Sequence, residues 1–153
     1  MNAAEFERLL GPAGDPAVSA SLYVTNPLDA LREVNADAAE RLSLFAKLGF
    51  GWRDDDSLPI PQAAISSAAC LLLLADRLYG NRIAEPLVVP VVDGSVEVDW
   101  DGTSGEELVL MVPPEGAPIQ FVMNLPDGSG GVTEWDGFLP TDASLADLLT
   151  RLT

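Results

Sequence analysis

The 153-residue sequence predicts an α+β fold, in which N-terminal helices pack on a C-terminal antiparallel sheet of about four strands and a short closing helix follows. Three observations predict this class. Apolar residues recur at helical spacing over residues 1–80, alternate with polar residues over 87–138, and return to helical spacing over 142–152. Helices followed by a series of short strands are typical of the α+β class. No long linker divides the chain, so we expect one domain over residues 1–153.

Three helical segments are expected in the first half. Residues 3–10 form a short amphipathic stretch. A second segment begins at Asn26, which can cap a helix whose first residue is proline, and it is interrupted near Asn35. The strongest helix begins at Pro61 and ends at Gly80. Its apolar stripe is wide enough to indicate packing on more than one side.

The sequence of the second half predicts a meander of strands. Apolar residues alternate with polar ones around residues 96–100, 108–112 and 119–123, and a weaker strand is expected over 132–138. Turn-forming dipeptides sit between or beside these runs, namely Asp93-Gly94, Glu115-Gly116 and Asp127-Gly128. Ser144 and Asp147 form a capping box, which predicts that the closing helix begins there.

The charge of the chain restricts its partners. With 8 Lys and Arg against 24 Asp and Glu, the formal net charge is −16, and the basic residues form no patch. Nucleic-acid affinity comes largely from Lys and Arg, so direct binding to nucleic acid is not expected. An anionic membrane is disfavoured for the same reason. The hydrophobic fraction of 48% is too high for a disordered acidic tail.

The cellular location is predicted from what the sequence lacks. The N-terminus has neither the basic nor the apolar region of a secretory signal, and the longest apolar run, residues 68–75, is shorter than a membrane span. The single cysteine, Cys70, cannot form an internal disulfide and is expected to be a buried thiol. These features predict a cytoplasmic protein that is not associated with a membrane.

No catalytic set, cofactor or metal site is predicted. The sequence has no histidine. Glu97 and Asp99 project from one face of a strand about 7 Å apart, which fits a glycosidase pair but also any solvated strand. The Glu97–Leu108 segment imitates a calcium loop but lacks glutamate at its twelfth position. Asp54, Asp55 and Asp56 could hold a cation, although a solvated turn is the better interpretation.

A short motif occurs twice and suggests a docking surface. Trp-Asp-Gly begins at Trp100 and again at Trp135, each time after an Asp-Gly-Ser turn. Two similar hairpins would explain this repeat, while exposed tryptophans are favoured anchors at protein interfaces. Together with the acidic segments, the motif predicts a partner-binding set: Trp52, Asp54, Asp55, Asp56, Glu97, Asp99, Trp100, Asp101, Glu134, Trp135 and Asp136.

The central part of the chain resembles a family of small bacterial and phage-associated proteins. The resemblance covers residues 51–112 and rests on a Gly-Trp…Pro-x-Val-x-Pro…Asp-Gly…Trp pattern, with Glu107-Leu108-Val109-Leu110 similar to the strand that follows. The matching residues are Gly51-Trp52, Pro61, Ala64-Ile65, Ala68, Pro86, Val88, Pro90, Asp93-Gly94, Val96, Val98 and Trp100. Arg53 replaces the usual aspartate. Because these residues start helices or form turns, and no biochemistry is assigned to the family, the resemblance implies a fold rather than a reaction.

Three functions therefore compete. The leading hypothesis is a non-catalytic interaction protein that docks a protein partner with a basic surface, like an antitoxin, an immunity protein or a subunit of a defence system. Its basis is the net charge of −16 together with the repeated motif. The alternatives are a self-assembling structural homo-oligomer, joined by strand edges or by the apolar side chains around Val109 and Met111, and a carboxylate- and metal-dependent enzyme.

The charge predicts that salt stabilises the fold. Repulsion among the acidic side chains opposes folding, and at physiological ionic strength screening limits its range to about 8 Å. We expect the melting temperature to rise from dilute buffer to moderate NaCl, as measured by circular dichroism. A melting temperature that stays constant or falls would show that repulsion does not limit stability.

Overall fold

Helices and a five-stranded sheet form the described part of the chain. The structure, a computed structural model, describes residues 26–153, so the stretch predicted at residues 3–10 lies outside the described residues. Its elements in chain order are α1 (Pro27–Val34), α2 (Ala36–Phe45), α3 (Gln62–Tyr79) with a 3-10 turn (Gly80–Arg82), β1 (Leu87–Pro90), β2 (Val96–Asp101), β3 (Glu107–Val112), β4 (Ile119–Pro126), β5 (Val132–Leu139) and α4 (Leu145–Thr150). The α+β class is confirmed.

The ends of the first two helices follow from their capping residues. The Asn26 side chain accepts a hydrogen bond from the backbone N–H of Leu28 (3.0 Å), and Pro27 occupies the first helical position. Asn35 ends α1 and caps α2, because its side chain accepts from the N–H of Ala38 (3.1 Å). These asparagine caps satisfy donors that a helix start leaves free. The predicted start at Asn26 and interruption at Asn35 are both confirmed.

Helix α3 is the centre of the core. Eleven of its 18 residues are buried, and it contacts α1, α2 and α4 as well as β2 and β3. The helical stretch Gln62–Arg82 is long and apolar enough to span a membrane. However, 61% of its most apolar 18-residue stretch is buried inside the fold. Cys70 is buried as expected, and burial raises the pKa of its thiol to about 11. Such a thiol behaves as a small apolar side chain.

The sheet is an antiparallel meander in the order β1-β2-β3-β4-β5. The prediction of about four strands is wrong by one. The missing strand, β1, has only four residues, Leu-Val-Val-Pro, and lies at the edge of the sheet. It was missed because four apolar residues ending in proline show no alternation with polar residues.

The two faces of the sheet differ in burial. The residues of one face of β2, β3 and β4 are buried beneath the described helices, including Val98, Leu110 and Phe121. We call this the core face. The residues between them are half-buried or exposed, and they form what we call the outer face. One-sided cover of this kind is common for antiparallel sheets.

The predicted turns connect the strands as expected. Asp93-Gly94 joins β1 to β2, Glu115-Gly116 joins β3 to β4, and Asp127-Gly128 joins β4 to β5. At the first of these turns, Asp93 accepts a hydrogen bond from the N–H of Ser95 (2.9 Å). The closing helix is shorter than predicted and spans Leu145–Thr150. Ser144 caps it by accepting from the N–H of Asp147 (3.1 Å), so the predicted capping box is confirmed, although the helix begins three residues after the predicted residue 142.

Gly116 places the β3–β4 turn directly against the first turn of α3. Its φ is +87°, and a Cβ atom added there would lie 2.9 Å from the carbonyl oxygen of Ala63. Gly128 also has a positive φ of +81°, but nothing lies within 4 Å of its added Cβ. A matched pair of alanine variants therefore separates the backbone strain from the close approach.

We expect Gly128→Ala to lower the free energy of unfolding by about 1 kcal/mol, because it adds strain alone. Gly116→Ala is expected to lower it by roughly 3 kcal/mol, since the turn must also move away from α3. Urea unfolding of both variants measures the difference. Equal losses would show that contact between this turn and α3 does not matter for stability.

Candidate functional site: the outer face of the sheet

Six acidic side chains lie on the outer face. β2 contributes Glu97, Asp99 and Asp101 at every second position, so all three project from the same side of the strand. The register places Glu107 of β3 directly opposite Asp101. From β5 come Glu134 and Asp136, which face Asn124 and Val122 of β4. The fold thus brings together five of the predicted partner-binding residues, the exceptions being those in the loop and the two tryptophans of the repeat.

Apolar side chains share the outer face with these acids. They belong to β1, β3, β4 and β5, and they are Leu87, Val89, Val109, Met111, Val122 and Phe138. Leu87 is 51% exposed and Phe138 is 44% exposed. A solvated sheet face normally carries polar residues at such positions. The outer face is therefore a mixture of acidic and apolar groups.

The acids of the outer face have no cationic neighbours on the sheet. None of the five described strands contains Lys or Arg. The ion pair found among residues 26–153 joins Arg32 to Asp29 on α1 (3.1 Å), away from the sheet. Like charges on residues that face each other across two strands, such as Asp101 and Glu107, destabilise a sheet. The outer face thus carries an unbalanced negative charge that costs folding free energy.

Asp99 shows this imbalance most clearly. It lies between Leu87 of β1 and Val109 of β3, and its Oδ1 atom is buried without a hydrogen-bond partner in the described part of the chain. Burial, then the negative charges of Glu107, Asp101 and Glu97, and finally a hydrogen bond with the Glu107 side chain raise the pKa of Asp99 to about 6. All three causes disfavour the carboxylate form. A cation placed beside Asp99 would offset the repulsion between these charges.

The two tryptophans of the Trp-Asp-Gly repeat lie on the core face, and the burial of Trp100 corrects its predicted role as an exposed anchor. Trp100 is 1% exposed, so it cannot anchor a partner. Trp135 is half-buried and packs edge-to-face on Phe121 with ring centroids 5.2 Å apart. The guanidinium of Arg151 lies 5.1 Å from the Trp135 ring. Since side chains alternate along a strand, these tryptophans point away from the acids next to them.

The acidic loop of residues 52–56 is a separate structure. The indole N–H of Trp52 donates to the carbonyl oxygen of Leu58 (2.9 Å). The carboxylate of Asp54 accepts from the N–H of Asp56 (3.1 Å) and the hydroxyl of Ser57 (2.8 Å). Asp54 therefore stabilises the loop itself. Asp55 and Asp56 remain exposed, and nothing connects them to the outer face of the sheet.

A cleft of about 270 Å³ lies elsewhere, between the α1–α2 junction and residues 80–86. Trp100 lines it, and the Asn35 side chain donates to Glu85 Oε2 (3.1 Å) at one side. Its other polar side chains are Asp76 and Asn81. Over residues 26–153, no three His, Cys, Asp or Glu side chains are grouped so as to hold a metal ion.

Sequence reasoning found five of the six acids of the outer face but missed the sixth, Glu107, and some of the apolar neighbours. Alternation along each strand identifies which residues share a face, and Val109 and Met111 were recognised as a second apolar face in this way. Leu87, Val89 and Glu107 were missed because they join the site through register with β2. Register depends on long-range pairing rather than on any local pattern.

Asp99 predicts an unusual dependence of stability on pH. Because the folded-state pKa lies above the ordinary value of 3.8, the folded protein binds this proton more tightly than the unfolded chain. The carboxyl therefore opposes folding increasingly as pH rises from 4 to about 6. The rise in the pKa of Asp99 corresponds to a loss of about 3 kcal/mol in the free energy of unfolding. Solvent screening at this partly exposed site reduces the loss to about 1 kcal/mol.

We expect Asp99→Asn to raise the free energy of unfolding by about 1 kcal/mol at neutral pH, with a gain that shrinks as the pH falls to 4. Urea unfolding at several pH values measures this gain. Asp136→Asn, which removes one charge from an exposed position of the same face, is the control. A gain in stability for Asp99→Asn that does not change with pH would contradict the raised pKa of Asp99.

Comparison with known proteins assigns this chain to no family. No family model matches the chain, and neither a curated protein nor a solved structure matches it. The resemblance of residues 51–112 to small bacterial and phage-associated proteins therefore stays an expectation. A function for the chain must be argued from the arrangement of its own residues, and the outer face of the sheet is the arrangement with the strongest chemical character.

Proposed function

We propose that this protein is a non-catalytic interaction protein that docks a basic protein partner on the outer face of its sheet. One observation carries the proposal: six carboxylates share this face with exposed apolar side chains, and no described strand supplies a cation. The cationic groups of such a partner would neutralise the carboxylates, and its apolar groups would bury the exposed apolar side chains. Antitoxins, immunity proteins and subunits of cytoplasmic defence systems are classes of protein that act by docking in this way.

The cost of the arrangement supports this proposal. Asp101 faces Glu107 directly, and Asp99 keeps a buried oxygen without a partner among the described residues. Each feature destabilises the isolated fold. A lysine or arginine at any neighbouring strand position would remove the cost, so the arrangement is better explained by a cation that arrives from outside. Complementary charge also accelerates association and discriminates against wrong partners.

Self-association through the outer face is less favourable. A symmetric dimer places the same patch of both copies in contact. Here that contact would bring six carboxylates against six others, with no strand cation in between. The apolar side chains around Val109 and Met111 would gain burial, but the acids beside them would be desolvated without a partner, which is strongly unfavourable. A partner of opposite charge meets no such penalty.

The proposal is tested by affinity purification from a native lysate of the source organism with two variants of equal net charge. The face variant carries Glu97→Gln, Asp101→Asn and Asp136→Asn. The control variant carries three neutralisations on helices and in the β3–β4 turn: Glu33→Gln, Glu40→Gln and Glu115→Gln. We expect wild type and control to recover the same stoichiometric partner at low salt, and the face variant to recover at least tenfold less.

Salt provides a second measurement in the same experiment. The partner should dissociate as NaCl rises to about 0.5 M, because the screening length falls to a few ångströms. Recovery of the same partner by the face variant and the control would show that docking occurs elsewhere. Recovery of no stoichiometric partner by wild type at low salt would contradict the proposed function itself.

A further inference from the structure

The three acids of β2 form a straight ridge on the outer face. Glu97, Asp99 and Asp101 occupy alternate positions of one strand, so their Cα atoms are about 6.7 Å apart and the ridge is about 13 Å long. We call this the β2 ridge. It lies on an inner strand, between β1 and β3. Partner groups can therefore reach it only from above the sheet, because both edges of β2 are already paired.

Apolar side chains border Glu97 and Asp99 of the β2 ridge on both sides, whereas Asp101 faces Glu107 of β3. Asp99 faces Leu87 of β1 and Val109 of β3. Glu97 faces Val89 of β1 and Met111 of β3. Side chains directly opposite each other in neighbouring strands are about 5 Å apart. At Glu97 and Asp99, the pattern across the face is thus an apolar strip, an acidic ridge and a second apolar strip.

This pattern favours a helix as the docking element. A segment that lies on the face of a sheet cannot pair its backbone with an edge strand. An extended segment would leave its backbone polar groups unpaired against the apolar strips, which costs free energy, whereas a helix satisfies these groups internally. On one side of a helix, residues four apart rise about 6 Å, close to the spacing of the β2 ridge. Residues beside that row would contact the two strips.

We propose, on the basis of the proposed function, that the partner contributes an amphipathic cationic helix that lies along β2. A row of Lys or Arg side chains on this helix pairs with the β2 ridge, and the apolar side chains beside the row pack on the strips of β1 and β3. The helix covers the outer face as α3 covers the core face. Asp99 is the centre of the contact, because it is the middle residue of the β2 ridge and lies between Leu87 and Val109.

A synthetic peptide provides a defined probe. We specify a helix of about 18 residues with one row of lysines bordered by leucines, labelled with fluorescein, and a scrambled peptide of the same composition. Fluorescence anisotropy measures the affinity of both peptides for the wild type, for a ridge variant (Glu97→Gln, Asp99→Asn, Asp101→Asn) and for the control variant (Glu33→Gln, Glu40→Gln, Glu115→Gln). Circular dichroism and urea unfolding establish that both variants are folded.

We expect the ridge variant to bind the helical peptide at least tenfold more weakly than wild type, and the control variant to lose no more than about twofold. The scrambled peptide should bind more weakly than the helical one. Affinity of the wild type should also fall between pH 7.5 and pH 5, because the Asp99 carboxylate becomes protonated in this range, while Asp99→Asn should show a smaller change.

Equal binding of the peptide to the ridge and control variants would overturn the inference, as would equal binding of the scrambled peptide. The two proposals fail separately. If native purification recovers a partner that depends on the outer face while the peptide test fails, the docking function stands and the helix is refuted. If native purification recovers no partner, the function is refuted, whatever the peptide does.

Discussion

The contact between α3 and the core face of the sheet is the constraint on which the rest of the structure depends. The helix buries 11 of its 18 residues, and it contacts the other described helices as well as β2 and β3. Burial of apolar surface is the main favourable contribution to folding. Because the described helices pack on the same face, the core face must be apolar in each inner strand, and the opposite face is released from the packing requirement.

That release explains how the outer face can carry a destabilising arrangement. Its side chains are half-buried or exposed, so changes there cost less free energy than changes in the core. Even so, the like charges of Asp101 and Glu107 face each other, and one Asp99 oxygen lacks a hydrogen-bond partner among residues 26–153; both features are unfavourable for the fold described. Protein sites that serve binding are commonly less stable than their surroundings, since groups reserved for a partner cannot be satisfied internally. The acidic outer face fits this description.

The tryptophans show how a repeated motif can mislead. Trp100 and Trp135 each precede Asp-Gly, a repeat that two similar hairpins explain and that two exposed docking anchors would also fit. In the fold, however, Trp100 is buried beside the core helices, and Trp135 packs on Phe121 beneath Arg151. Alternation along β2 already places Trp100 on the side opposite to Glu97 and Asp99. The alternation of side chains along the strand predicts the face of each tryptophan better than the motif does. Burial of a large aromatic ring contributes strongly to stability, so the ring lies on the core face.

Local signals in the sequence determined most of the fold. Asn26, Asn35 and Ser144 cap helices by hydrogen bonds within a few residues, and each Asp-Gly or Glu-Gly pair forms its turn through backbone conformations that glycine adopts easily. Long-range pairing decided the rest. The sequence does not show that β1 is a strand, that Asp99 lies between Leu87 and Val109, or that the acids of β5 share a face with those of β2. These relations depend on strand register and on which face the helices cover, and both are set by burial across the whole fold.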